Sequence, residues 1–309
     1  MGGIDCGRTA DKEMDIIEFR RFSLEDKEKI ESYFKVHHYE QADCTFNTLF
    51  LWQDGYGTKW AEQDGILFIR AGEGKDQFFL PPFCRKEEDF RRGLELIHGE
   101  YDRQGLPFRL KSASRWVTER IEEAAPGKYD FIEDRDNEEY VYRTQDLISL
   151  PGKKFRMKKN HLNSFLRQYG DYEYVSLKKE NLEEAQAEIR EWFERHGEIP
   201  EEEEAMKLCF RYWDELGMRG AVIRIYGKAE AFTCGDLINE NMAHCIFEKA
   251  NSNIRGLYQA INRDFLIHEF PETEFVNREE DLGIPGLREA KLGYNPDHLT
   301  EKFDVVLKK

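Results

Sequence analysis

The chain has 309 residues, of which 40% are hydrophobic and 13% aromatic, and its formal net charge is −16 at pH 7. This length suits two cores, the apolar content excludes a disordered chain, and the acidic balance disfavours nonspecific binding to nucleic acid. No run approaches the ~20 apolar residues that span a bilayer, and the start, MGGIDCGRTADKEMD, has no apolar export segment, so a cytoplasmic protein is expected.

The pattern predicts a strand over Ile16 to Phe22, then a helix start at Ser23 with Asp26 at its third position, leading into Ile30, Tyr33 and Phe34. Strands are predicted over Ile66 to Ala71 and Phe78 to Leu80, and a helix over Lys86 to Asp102. A strand over Phe108 to Ser112, a helix around Trp116 to Ala125, and strands over Tyr129 to Ile132 and Glu139 to Arg143 complete the first half. Gln145 to Leu150 reads as the crossover between halves.

Gly152 to Gly170 (GKKFRMKKNHLNSFLRQYG) has no acidic residue. Its cations Lys153, Lys154, Arg156, Lys158, Lys159 and Arg167 give it +6, which leaves −22 for the rest of the chain. On a helix, Phe155, Leu162, Phe165 and Leu166 gather on one side, while Arg156, Lys159, Asn160, Asn163 and Arg167 form a stripe on another. The stripe is either a solvated face paired with acidic neighbours or a surface that guides a phosphate-bearing substrate.

Asn181 caps a predicted helix carrying Leu182, Ala185, Ile189, Trp192 and Phe193, and Glu201 to Leu216 is another. Ala221 to Tyr226 and Ala229 to Ile238 then form a hairpin around Gly227-Lys228. Met242 to Ala250 is a strand, followed by a helix on which Ile254, Leu257, Tyr258, Ile261 and Phe265 share one buried face. Gly256 lies in its first turn, where N–H groups and a partial positive charge could receive a phosphate or oxyanion beside Arg255, or where a glycine serves packing alone. The strand Phe275 to Asn277, the helix Gly286 to Leu292, the turn Gly293 to Pro296 and the strand Phe303 to Leu307 end the chain.

Each half therefore reads helix, strand, strand, helix, strand, helix, strand. The expectation is an α/β (α+β) protein with tandem domains, 1–147 and 148–309, each a mixed sheet flanked by helices. The six cysteines (Cys6, Cys44, Cys84, Cys209, Cys234, Cys245) are scattered and read as reduced thiols. The histidines form no metal-ligand spacing, and the cluster Asn277-Arg278-Glu279-Glu280-Asp281 lacks the calcium-loop pattern, so no metal is expected. Met1-Gly2-Gly3 begins like a myristoylation signal, but Cys6 stands where Ser or Thr is required.

The element order from Met242 to Leu307 resembles the GNAT acyltransferase superfamily. In that superfamily the helix after the fourth strand receives a pyrophosphate, and a tyrosine after the last helix can protonate the leaving group; Tyr294 holds the matching place. The phosphate loop of that superfamily reads Gln/Arg-x-x-Gly-x-Gly/Ala. Here Asn253-Ile254-Arg255-Gly256-Leu257-Tyr258 puts a bulky residue at its end, which disfavours coenzyme A as cofactor.

The run Asp146-Leu147-Ile148-Ser149-Leu150-Pro151-Gly152-Lys153-Lys154-Phe155-Arg156-Met157-Lys158-Lys159-Asn160-His161-Leu162-Asn163 is the first of two long motifs. With Asn277 to Lys291 (NREEDLGIPGLREAK) and Tyr294-Asn295-Pro296, it resembles the DUF2156 family. That family is similar to the C-terminal catalytic domain of phosphatidylglycerol lysyltransferase, and the likeness runs from about Ile16 to Leu307. It implies a tandem GNAT pair, as in the Fem-type aminoacyltransferases, and transfer of an aminoacyl group from charged tRNA to a lipid hydroxyl or a small amine acceptor without coenzyme A. Such a reaction needs a proton acceptor, an oxyanion stabiliser and a proton donor. Glu248 is the candidate base, Lys291 or the N–H groups near Arg255 and Gly256 the oxyanion site, and Tyr294 the acid. Arg288 and Lys291 form a candidate pair for tRNA phosphates or an anionic phospholipid headgroup. Asn277 either fixes the opening beside its strand or caps the turn that follows. The alternatives are a coenzyme A-dependent N-acetyltransferase and a non-catalytic module that binds polyanions or lipid headgroups.

Overall fold

The computed structural model describes residues 16–196 and 200–308; Met1-Gly2-Gly3, Cys6 and the His196 side chain lie outside the described residues. Two mixed sheets form the frame, with helices on the outer face of each. Alternation along the strands decides which core each residue enters. Ile66 and Phe68 face the outer core of the first sheet, with the helices Phe90–Gln104 and Arg115–Ala124, while Leu67 and Ile69 face a core shared with the second half. In the second sheet Val222 and Phe232 enter that shared core, and Ile223 and Ala231 pack toward the helices Arg156–Gln168 and Leu257–Glu269. Trp192, Phe193, Phe210 and Trp213 fill the shared core from between the sheets.

The strands do not divide at 147/148 as the tandem reading expects. The first sheet runs Lys59–Gln63, Ile66–Ala71, Phe78–Phe79, Arg109–Ala113, Phe303–Leu307, Tyr129–Glu133, so the last strand of the chain is inserted into the sheet of the first half. In return Glu139–Arg143 belongs to the second sheet, where it lies between His298–Thr300 and Phe275–Asn277. Lys302, just before the inserted strand, marks the crossing. Its buried ammonium lies 2.6 Å from Asp43 and 2.6 Å from Glu139.

Three other expectations are corrected. Ile16 to Phe22 forms no strand beyond one bridge from Arg20 to Trp60. The second-half hairpin turns on Tyr226 and Gly227, both left-handed (φ 53° and 76°), so Lys228 already belongs to the next strand. Gln145 to Leu150 is the helix Thr144–Ser149, not an open crossover. The Ser23 start is present as a capping box, with the Asp26 carboxylate accepting from both the Ser23 backbone and hydroxyl. Among the described residues no helix is long and apolar enough to cross a membrane, and Cys44, Cys84, Cys209, Cys234 and Cys245 are buried free thiols.

Candidate active site

The strand Met242–Ala250 organises the site through a bulge and a split. Opposite it, Cys234 pairs with Phe247 and Gly235 with Cys245, which leaves Ile246 as the extra residue. A bulge shifts the alternation by one. Glu248 therefore faces the same side as Cys245, whose sulfur is 3.9 Å from its carboxylate. Gly235 is obligatory here, since a Cβ would sit 1.7 Å from the His244 carbonyl. On the other edge, the strand pairs in parallel with Phe275–Asn277 only through Met242, Ala243 and His244. Beyond His244 the two strands part, and Arg278 is the first residue past the pairing.

Arg278 and Glu248 meet across this opening at 2.6 Å, with side chains 12% and 9% exposed. The Asn262 amide donates to the other Glu248 oxygen at 3.1 Å. The second terminal nitrogen of Arg278 is buried and completes no hydrogen bond within the protein. The guanidinium lies 5.0 Å from the centre of the Tyr294 ring and the Lys158 ammonium 4.1 Å from it. Burial pushes the Tyr294 phenol up to about 12, against the opposing charge of Arg278. It is thus protonated at neutral pH, and because the Gln259 amide donates to its oxygen at 3.0 Å, the phenolic proton is left for an acceptor.

Lys158 connects this cluster to the basic helix. Its ammonium donates to the Ala290 carbonyl at 3.2 Å, and burial, then the charge of Arg278, lowers its pKa. Lys153, Lys154, Arg156, Lys159 and Asn160 are exposed along the same segment, and of these Lys154 pairs with Asp146 at 3.2 Å. Burial and then the nearby charges of Arg255 and Lys158 hold His161 below the ordinary histidine value, which places Arg255 on this positive surface.

Four expected site residues are committed to structure. Gly256 has φ 90° and caps the Leu257–Glu269 helix; a Cβ there would lie 2.2 Å from the His161 carbonyl and 2.8 Å from Phe165 Cβ. The missing Cβ thus makes room for the basic helix and not for a phosphate. Tyr258, expected on the buried face, is 38% exposed. Gly256→Ala is expected to cost at least ~1–3 kcal/mol from its left-handed backbone alone, read as a lower denaturation midpoint; an unchanged midpoint would show that the two helices can separate freely.

Lys291 donates to the carbonyls of Arg278 (2.7 Å), Glu279 (3.0 Å) and Glu280, which uses every donor of its ammonium, so it cannot also hold an oxyanion. Arg288 forms two bonds to Asp281 and one to Asp136, each 2.7–2.8 Å, and does not pair with Lys291 toward a ligand. The buried Asn277 amide donates to the Glu40 carbonyl at 2.8 Å and to Glu139, while its oxygen accepts from Glu279 N at 2.8 Å. It caps the turn and ties the split to the first half. These bonds fix residues 278–281, including Glu279 at φ 55°.

Sequence reasoning passed over three groups. Arg278 was hidden in a charged turn. His244 is fully buried, 3.0 Å from Asp236 and 3.2 Å from Glu279. Burial pulls its pKa down, but the two carboxylates outweigh it and hold it up to about 10. The signal was the hairpin register, which sets Asp236 opposite His244. Glu280 lines a cleft of about 330 Å³ between the sheets, with Ile246, Glu279, Glu139, Asp43 and Lys302. Burial and then Glu279 push its carboxyl to about 7.

Because the folded pKa of His244 lies above its ordinary value near 6.5, the stability it adds is full below that pH and is lost as pH rises through about 10. Unfolding midpoints of the wild type should therefore fall between pH 7 and pH 10 by more than those of His244→Gln. Parallel curves for the two proteins would contradict a charged His244.

A mixed sheet split beside a bulged strand, with a helix starting behind the bulge and a buried tyrosine at the opening, defines a GNAT-type acyltransferase fold. The pattern of the family described as the phosphatidylglycerol lysyltransferase C-terminal domain matches residues 35–306, and the chain belongs to that family. A protein of unknown function from Bacteroides thetaiotaomicron superposes with a TM-score of 0.86 at 30% identity, covering 95% of this chain and all of that one. L-PGS from Bacillus licheniformis gives a TM-score of 0.62 at 17% identity over 91% of each chain. A tandem GNAT protein from the clavulanic acid biosynthesis pathway gives 0.51 at 11% identity, covering 94% of this chain and 98% of that one. An uncharacterised protein of Mycoplasmoides gallisepticum is 23% identical over 184 residues, a stretch that takes in 58% of this chain and 59% of that protein. The chain is thus a GNAT-like domain of the lysylphosphatidylglycerol synthetase type.

Proposed function

We propose that this protein transfers an aminoacyl group from aminoacyl-tRNA to a lipid hydroxyl or an amine acceptor, without coenzyme A, at the split beside Met242–Ala250. The observation that carries the reading is Lys158. One side chain of the basic helix reaches both the Tyr294 ring and Ala290 in the helix Pro285–Leu292, so a surface suited to tRNA phosphates runs into the buried Glu248–Arg278–Tyr294 cluster. In this scheme the unsatisfied N–H of Arg278 receives the ester carbonyl oxygen as it gains charge, and Glu248 holds the guanidinium in place. The acceptor attacks the carbonyl carbon and its proton passes to water. The bond from the carbonyl carbon to the ribose oxygen then breaks, and Tyr294 protonates that oxygen.

Replacing Lys153, Lys154, Arg156, Lys158 and Lys159 together with Gln tests the tRNA half of this scheme. The wild type should bind charged tRNA with an affinity that falls steeply with salt, at a log-log slope of about −0.7 to −0.9 per phosphate contact, and the substitutions should flatten that slope. A slope near zero in both proteins, with a melting temperature lowered by the substitutions, would show that these cations serve the fold and would remove the polyanion substrate.

A further inference from the structure

The hairpin turn at Tyr226 and Gly227 carries a side chain that its local structure does not call for. Both residues are left-handed, at φ 53° and 76°, and a two-residue turn of this kind favours Asn followed by Gly. A tyrosine is a costly occupant of the first position, since bulky side chains rarely take a positive φ. Nor does it serve the core. Tyr226 is 87% exposed, and it meets the Tyr169 ring edge-on, at 6.3 Å between centres.

Tyr169 closes the basic helix Arg156–Gln168, so the turn stands at one end of that helix while Lys158 joins its other end to Tyr294. Arg156, Lys159 and Arg167 lie with Asn160 and Asn163 on one exposed stripe between the two ends. Among the described residues none of these three cations has an ion-pair or side-chain hydrogen-bond partner. In a chain of net charge −16 acidic partners are plentiful, and a stripe left unpaired is matched to an anion from outside. The helix is about 20 Å long at ~1.5 Å per residue. The sheet gives the same span: Thr233 lies opposite Glu248, and from there its strand runs back to the turn over about 20 Å at ~3.3 Å per residue.

We infer that Tyr226, backed by Tyr169, is a stacking platform for a base of an unpaired RNA strand whose phosphates follow Arg167, Lys159 and Arg156 toward the Glu248–Arg278–Tyr294 cluster. An open aromatic face joined to a line of cations is the combination that single strands select, because every base has a face to stack and the backbone is held by charge. A duplex keeps its bases stacked on one another and has none to offer. The identity of the strand rests on the aminoacyl-tRNA reading: it is the unpaired 3′ end that carries the ester. The ester then lies at the cluster, and the platform holds a base further back along the strand.

Tyr226→Asn removes the ring and suits the turn, so its melting temperature should equal or exceed that of the wild type. On the full chain, a short unpaired RNA oligonucleotide should bind Tyr226→Asn about tenfold more weakly than the wild type, the usual worth of one stacked base, and Tyr226→Trp should keep the affinity. The salt slope of Tyr226→Asn should match the wild type, because a ring releases no counterion, whereas Arg167→Gln should flatten it by about 0.7, one single-strand phosphate contact. With charged tRNA, Tyr226→Asn should raise KM about tenfold and leave kcat unchanged, since the platform lies far from the ester. Equal affinity of wild type and Tyr226→Asn for the oligonucleotide would overturn the inference, as would an equal loss toward the same strand annealed into a duplex. Unaltered RNA affinity with loss of a concentration-dependent dimer would assign the turn to a second copy instead, and with loss of sedimentation on anionic vesicles to a membrane. If the wild type discharges charged tRNA and Tyr226→Asn matches its KM, the platform falls and transfer stands. If charged tRNA stays intact while the oligonucleotide still binds through Tyr226, transfer falls and the platform stands.

Discussion

Arg278→Met should abolish turnover and destabilise the fold by about 3–5 kcal/mol, because it strands the Glu248 carboxylate in a site where that side chain is 9% exposed. Removing one partner of a buried pair exposes the full desolvation cost of the other, and the Asn262 amide at 3.1 Å offsets only part of it. Glu248→Gln should be nearly as damaging to stability, since it leaves the guanidinium unpaired. If Glu248 were a free base instead, that variant would be inactive but as stable as the wild type. Replacing both residues with apolar ones, Arg278→Met with Glu248→Leu, should recover most of the stability and none of the activity. Equilibrium unfolding combined with single-turnover kinetics separates the outcomes, and a double variant that turns over would take Arg278 out of the chemistry.

Tyr294→Phe should lower turnover by roughly 10²-fold, the lower range for a general acid, while changing stability by only about 1 kcal/mol, the worth of the lost Gln259 bond. The ring keeps its packing against Tyr142, at 6.3 Å between centres, and its place between Lys158 and Arg278, so the fold has little reason to respond. The defect should shrink with donors whose leaving oxygen is more acidic, because these need less protonation. A Phe variant with wild-type turnover would reduce Tyr294 to a packing residue.

Much of this site was legible because strands announce themselves locally. Met242–Ala250, Phe275–Asn277 and Phe303–Leu307 lie where alternation and turn residues place them. Which strands become neighbours was not legible. Period-two patterning encodes faces and not partners, so nothing local in Phe303 to Leu307 says that it inserts between Arg109–Ala113 and Tyr129–Glu133. The same limit hid the ion cluster of Lys302, Asp43 and Glu139, whose members are far apart in sequence. Charge counting misled at the turn after Asn277. Arg278 looks there like one cation in an acidic run, yet the parting of two strands buries it opposite Glu248. Lys291 and Arg288 were conspicuous as a basic pair on one helix face, and that face turns inward to fasten the turn. The phosphate reading of Gly256 failed for a related reason, since a glycine at a helix start is equally suited to the close passage of another helix.

The most direct test of aminoacyl transfer is to incubate the full chain with a pool of charged tRNAs and record which amino acid leaves the tRNA, in wild type, Tyr294→Phe and the variant with five lysine and arginine side chains changed to Gln. One aminoacyl class should be discharged by the wild type without coenzyme A, Tyr294→Phe should retain tRNA binding while losing the discharge, and the Gln variant should lose both. Charged tRNA that remains intact across the whole pool, with acetyl-coenzyme A consumed in a parallel reaction, would contradict it.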